Sequence, residues 1–291
     1  MNIKKIKSKI ESYNNLHNIL ESQKNITLIN ILKLTREIAS YYSRAIECKK
    51  YIDEINHNYL INSPFLNNSK HIFSKFNNAI NTIWIYITEE EKYATNSYER
   101  HEKFLTENYK KNDFIIAIGE KAIEFAKENK MQILLSRSKN EVETLAEFLP
   151  NLLEDFITKK GFHKIKFVLN SSKLKTPFLT VLPFSELNFN LNQKNIHFED
   201  EIEIRKVNIF PNIEEFINSE INLYLTYITL TLLNESALIF EKYKLVAETQ
   251  KINNLEKTLQ KLNLSLTRKI REHEIEEMSL LNPKKDLLHE K

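Results

Sequence analysis

Glycine and proline are confined almost entirely to the middle of this chain, and that limits what it can fold into. The 291 residues hold 2 glycines and 6 prolines. Residues 1–63 and 212–282 contain neither, while Gly119, Gly161, Pro64, Pro150, Pro177, Pro183 and Pro211 lie between them. Because these residues punctuate local structure, two uninterrupted ends flank an ordinarily punctuated middle. Gly119 and Gly161 stand too far apart to share a G-x-x-x-x-G-K-[ST] loop, and two glycines are too few for G-x-G-x-x-G. Nor can they supply the turns of an all-β domain. Long helices remain.

The carboxy segment has a helical apolar period. Ile252, Leu255, Leu259, Leu262 and Leu266 recur in steps of 3 and 4, a coiled-coil seam, and Ile270 continues it. Leu223, Tyr227, Leu230, Leu238, Leu245 and Val246 extend the apolar side upstream. In the amino segment, Ile3, Ile6, Ile10 and Tyr13 begin a similar stripe that Leu16 and Leu20 extend. Ile31, Leu34, Ile38, Tyr41, Ala45, Ile52 and Ile55 resume it, with a register shift expected at Asn25-Ile26-Thr27. A polar helix roughly 105 Å long is not stable alone and needs a partner for its stripe. An antiparallel coiled coil between the two ends meets that need; two separate helices on a globular body are the alternative. The expected divisions are a helix over 1–62, an α/β domain over 75–208 and a helix over 212–282.

The middle alternates. Strands are expected at Asn81–Thr88, Asp113–Gly119, Met131–Leu135, Lys164–Asn170 and Pro177–Leu187, the last pushed to an edge by Pro183. A further short strand is expected at Glu201–Val207. Helices are expected at Asn96–Tyr109, Glu120–Asn129 and Asn140–Thr158, with Pro150 bending or interrupting the last. This order predicts a small, mostly parallel sheet covered on both faces.

Candidate chemistry is sparse. With 42 Lys+Arg against 39 Asp+Glu, the net charge of +3 does not suggest nucleic acid or a polybasic membrane contact. No stretch approaches roughly 18 apolar residues; Leu223–Leu233 comes nearest but is interrupted by threonines. No signal peptide is evident, and a reducing, cytosolic setting is expected. The single cysteine, Cys48, excludes an internal disulfide; Lys49 and Lys50 beside it could lower its pKa, but a seam or solvated thiol is the simpler reading. His101-Glu102 and His273-Glu274 read as helix-surface pairs, not metal ligands, and Trp84 as core. Glu89-Glu90-Glu91 stands where α/β sheets bind ligands but reads as a solvated turn. Gly119-Glu120-Lys121 opens a helix after a strand, a phosphate position weakened by its adjacent glutamate. No catalytic, cofactor or metal site is expected.

The segments are similar, in order and spacing over some 250 residues, to the gamma subunit family of F-type rotary ATPases. Ile6-Lys7-Ser8-Lys9-Ile10 resembles the family's I-K-x-R-I, and Ser22-Gln23-Lys24 its S-T-Q-K-I-T. Ile29-Asn30-Ile31-Leu32 stands where the M-K-M-V-A-A run falls. Ile118-Gly119-Glu120-Lys121 resembles I-G-x-K-G, and Ile165–Asn170 with Pro177–Pro183 resembles the following strand and P-x-x-x-x-L-L-P segment. Leu233-Asn234-Glu235-Ser236-Ala237 resembles L-L-E-S-x-x-S-E. The resemblance implies a non-catalytic rotor shaft: an antiparallel coiled coil inside a ring of alpha-like and beta-like subunits, and a Rossmann-like α/β foot that meets an epsilon-like stalk subunit. It implies ring contacts at Ile29, Asn30, Ile31, Leu262, Leu266, Thr267, Arg268, Ile270, Arg271, Glu274 and Met278. It also implies a cytoplasmic chain held at a membrane through its complex, without a span, cofactor or nucleic acid of its own. Thr88-Glu-Glu-Glu-Lys92 departs from the family's T-x-D-x-G-L-C-G, and Arg271–Asn282 from its I-T-x-E-L-x-E-I-V-x-G-A. Those losses point to the family's diverged ATPases of small wall-less bacteria, tied to gliding or surface immunoglobulin handling. A static coiled-coil scaffold is the alternative function.

Overall fold

The computed structural model describes residues 3–59, 61, 63, 65–66, 80–93, 97–138, 141–174, 176–187, 209–210 and 212–281. The expected strand at Glu201–Val207 lies outside them. The described elements are α1 (Ile3–Asn58), β1 (Thr82–Ile87), α2 (Glu99–Asn108), β2 (Phe114–Ile118), α3 (Glu120–Glu128), β3 (Ile133–Arg137), α4 (Val142–Lys160), β4 (Lys164–Val168), β5 (Phe178–Leu182) and α5 (Ile213–Leu281). The chain divides into two compact units, one of residues 1–30 and 244–291 and one of residues 31–243.

In the larger unit the sheet order is β3-β2-β1-β4-β5. The first four strands are parallel and β5 pairs antiparallel with β4 at the edge. Side chains alternate between faces along a strand, so β1 serves two cores. Ile83, Ile85 and Ile87 pack with α1, α4 and α5, while Trp84 and Tyr86 pack with α2 and α3. Every β1 residue is buried, as a central parallel strand requires. Asp113 fastens β1 to the start of β2: its carboxylate accepts from the Thr82 amide at 2.8 Å and from Trp84 Nε1 at 3.0 Å.

Two expected boundaries move for local reasons. The third strand begins at Ile133, not Met131, because the end of α3 takes that segment. Lys130 adopts a left-handed φ of 52°, and the Met131 amide reaches back to the Ala126 carbonyl at 2.9 Å. Pro150 does not interrupt the fourth helix, which continues through it with Pro150 buried.

The α1 seam also differs from the expected one. Among the non-exposed residues of α1, one series runs from Ile3 to Ile55 in alternating steps of 3 and 4, passing through His17, Lys24 and Thr27. There is no register shift near residue 26. His17 takes the position expected for Leu16, which is exposed, and Ile26 faces outward. Helix geometry fixes which positions face a partner, and long side chains can bury their stems there. In α5 the expected seam is the observed one: from 251 to 280, Ile252, Leu255, Leu259, Leu262, Leu266 and Ile270 are the residues that are not exposed. Leu223 and Val246, expected on the apolar side, are exposed instead. Within the smaller unit, His17 Nε2 lies 3.2 Å from Glu256 Oε1. In the larger unit α1 and α5 run antiparallel: Arg44 donates to the Tyr227 hydroxyl at 3.2 Å, and Cys48 meets Glu220 farther along α1 and earlier along α5.

One 18-residue window of α5 is, by length and composition, apolar enough to cross a membrane, which the sequence reading did not anticipate. Of that window 61% is buried inside the protein, so packing within the fold accounts for its apolarity.

Candidate functional site: closed crevices in the α/β body

Open α/β sheets bind ligands beyond the carboxyl ends of their strands, where the strand order reverses. Here β2 lies on one side of β1 and β4 on the other, so the reversal falls between β1 and β4. α5 fills the place. Glu235 of α5 is fully buried and accepts from the Ser171 hydroxyl at 2.8 Å and the Ser172 amide at 3.2 Å, both just after β4. Ser236 donates to Glu89 Oε1, just after β1, at 3.1 Å. The Phe240 ring packs on Tyr93 with centroids 5.4 Å apart. The Tyr98 hydroxyl accepts from the Glu89 amide at 2.7 Å, and burial pushes its phenol pKa up. The gap left among these groups is about 10 Å³, room for roughly one water.

The start of α3 is closed as well. An open helix start offers amides to a phosphate. Here the Ala122 amide donates to Thr88 Oγ1 at 3.1 Å, and Thr88 Oγ1 donates to the Ile118 carbonyl at 3.2 Å. Gly119, at φ 97°, lies directly against Thr88. A hydroxyl from β1's end therefore stands where an anion would bind. A cleft of about 840 Å³ opens beside it, and Glu89, Glu90, Glu91, Glu120 and Glu124 line it. Its one lysine, Lys121, pairs with Glu91 at 2.8 Å, so the cleft repels phosphate rather than attracting it. Glu89 and Glu91 thus make defined contacts, where the sequence suggested a solvated turn.

Other candidates fall into structural places. Trp84 is core. His101 is buried, not a surface residue, because its ring reaches the Leu169 carbonyl at 3.0 Å. His273 is exposed beside Glu277. Cys48 sits on the seam, and burial followed by the nearby Glu220 pushes its thiol up to about 12, the opposite of activation by its lysine neighbours. Among the described residues no group of three His, Cys, Asp or Glu could hold a metal.

His101 makes stability depend on pH. Burial lowers its pKa below 6.5, opposed by the Leu169 carbonyl. As pH falls through 6.5, the unfolded chain takes up a proton that the folded chain resists, so acid destabilises the fold. The slope from this residue is at most about 1.4 kcal/mol per pH unit. Denaturation midpoints followed by Trp84 fluorescence should fall as pH drops below 6.5, and His101→Gln should flatten that fall.

The residues for which ring contacts were expected differ in exposure. Ile29 is exposed, whereas Ile31 lies on the α1 seam beside half-buried Asn30. Leu262, Leu266 and Ile270 are half-buried on the α5 seam; Thr267, Arg268, Arg271, Glu274 and Met278 are exposed. What sequence reasoning missed is the closure of the body by Glu235 and Ser236, whose only signal was their likeness to the L-L-E-S motif.

A mostly parallel sheet whose crevice at the strand-order reversal is filled by its own side chains, with one long helix before it and one after it in the chain, defines an α/β protein with long terminal helices. No family model matches the chain. It is 34% identical over 288 residues to "Uncharacterized protein UU050" of Ureaplasma parvum serovar 3, covering 97% of this chain and 94% of that one. It is 24% identical over 278 residues to the "ATP synthase gamma chain" of Mycoplasma mycoides subsp. mycoides SC, covering 92% of each. Among solved structures it matches a rotor chain of the Euglena gracilis mitochondrial ATP synthase at 12% identity and a TM-score of 0.43, covering 93% of this chain and 98% of that chain. The chain belongs to one family with the Ureaplasma protein and is a diverged member of the F-type ATPase gamma subunits.

Proposed function

We propose that the chain is a central-stalk rotor subunit of an F-type-like rotary ATPase, coupling ATP hydrolysis on a ring of alpha-like and beta-like subunits to rotation. The observation that carries this reading, beside the family, is apolar surface left over after the seam is filled. In the smaller unit Ile19, Ile26 and Ile29 are 55%, 57% and 64% exposed on α1. On α5, Leu264, Ile275 and Met278 are each 62% exposed. Apolar side chains at this density on a paired-helix arm suit a surrounding protein sleeve. Thr267, Arg268, Arg271 and Glu274 stand between them as polar groups able to sense a catalytic state. Ile31, Leu262, Leu266 and Ile270 hold the seam and offer the ring only their outer edges.

The chain itself is non-catalytic on this reading, and the filled crevice at the strand-order reversal supports that. The body is the foot, where an epsilon-like stalk subunit docks, and the complex holds the chain at a membrane from the cytoplasm. The lost T-x-D-x-G-L-C-G motif supports a specialised motor, of the gliding or surface-machinery kind, over an ATP synthase. Affinity purification from cells followed by mass spectrometry should recover alpha-like and beta-like subunits with the unmutated chain. Ile26→Asp combined with Ile29→Asp should fold but fail to recover them. Arg268→Ala should assemble and change the ATPase rate by about tenfold, the value of one shielded charge-assisted bond at the low end of its range. A static scaffold would recover partners whose ATPase rate no variant alters.

A further inference from the structure

We infer that Glu235 and Ser236 form the joint that locks the shaft helix to the foot against twist, an inference that rests on the rotor reading. The argument begins with what an apolar groove cannot do. Ile228, Leu232 and Leu233 of α5 are fully buried, but hydrophobic contact is not directional and resists turning of a helix about its own axis poorly. Hydrogen bonds are directional, and those to a carboxylate are the stronger kind. Consecutive helical residues point about 100° apart around the axis. Glu235 is held by the segment after β4 and Ser236 by the segment after β1. The two ties therefore grip the helix at different angles from two separate strand ends, and rotation in either sense strains one of them.

A second observation sets Glu235 apart from an ordinary packing residue. Its Oε2 is buried without a hydrogen-bond partner among the described residues, while Oε1 takes the donors of Ser171 and Ser172. A half-satisfied buried carboxylate destabilises a fold compared with an apolar residue of the same shape. Stability alone does not favour it there; a directional anchor does. Glu235 and Ser236 are positioning residues on this account, remote from the ring where ATP is hydrolysed.

The test uses the assembled complex, with its ring fixed to a surface. A bead is attached through Glu128→Cys, an exposed position on α3, in a Cys48→Ala background. Glu235→Ala removes the bonds from both Ser171 and Ser172 and should leave the ATPase rate unchanged but lower the rotation delivered per ATP under viscous load by about tenfold. Ser236→Ala, a milder change if Glu235→Ala folds poorly, should act in the same direction. Glu235→Gln keeps an acceptor for Ser171 and Ser172 and should restore most of the unmutated behaviour. Loaded rotation per ATP equal to the unmutated complex in both alanine variants would overturn the inference. If the unmutated chain joins no ATPase at all, the rotor reading fails separately, and the joint is then read in the full chain alone. Hydrogen exchange at residues 171–174 should rise about tenfold in Glu235→Ala and stay near the unmutated rate in Glu235→Gln. Equal exchange in all three proteins would remove the joint as well.

Discussion

Gly119→Ala should unfold much of the α/β body, whereas Gly161→Ala should only weaken it. Both glycines have positive φ, 97° and 84°, so both substitutions incur backbone strain of about 1–3 kcal/mol. They differ in what the new methyl group meets. At Gly161 nothing lies within 4 Å of it. At Gly119 it would stand 2.2 Å from the Thr88 carbonyl oxygen and 2.3 Å from Thr88 Oγ1. The side chain cannot simply swing away, because part of the obstacle is backbone. The Thr88 amide donates to the Ile118 carbonyl at 2.8 Å, and the Gly119 amide to the Arg137 carbonyl at 2.8 Å. Relief would require moving the ends of three strands and removing the hydroxyl that caps α3. Overpacking of this kind adds about 1–3 kcal/mol, for a total of about 2–6 kcal/mol. Domains hold only about 5–15 kcal/mol, so this is a large share. Trp84 is the only tryptophan and is buried in this body, so its fluorescence in denaturant reports the loss directly. Equal midpoints for the two variants would mean that the contact with Thr88 does not constrain the fold.

What the sequence makes legible follows from how local the cause is. The α5 seam is readable because six aliphatic residues mark it without interruption. The α1 seam is misread at Leu16 because hydrophobicity and geometry disagree there. His17 occupies the position that geometry requires, and only its partner Glu256, 239 residues away, makes that visible. The sheet is readable from β-branched runs between breakers, but the start of β3 depends on a left-handed Lys130 that no propensity announces. His101 reads as surface because its burial depends on Leu169, 68 residues on. The closed crevice is hardest of all. Glu235 meets Ser171 across 64 residues and Ser236 meets Glu89 across 147. No periodicity or spacing encodes such a pairing, and the absence of a glycine loop suggests only that a ligand is missing, not what replaces it.

The coil should separate from the body energetically, and Leu255→Asp shows how. Leu255 is 8% exposed on the α5 seam of the smaller unit, two residues from exposed Lys257. Truncating a buried leucine costs about 2–5 kcal/mol, and a carboxylate placed there must also be desolvated or neutralised. The surroundings offer it little help. Glu256 is adjacent, and Glu248, two turns earlier on the same seam, is already buried with one oxygen unpartnered among the described residues. The smaller unit has few other large buried residues, among them Ile6 and Ile252, so the loss is not shared widely. Far-UV circular dichroism should therefore show a clear loss of helix in Leu255→Asp, while the Trp84 transition of the α/β body stays where it was. Lys257→Asp makes the same chemical change off the seam and should stay within about 0.5 kcal/mol of the unmutated chain. If the two variants lose helix equally, residue 255 does not face the amino helix. If Leu255→Asp also shifts the Trp84 transition by a similar amount, coil and body unfold as one cooperative unit, and the shaft draws its stability from the foot.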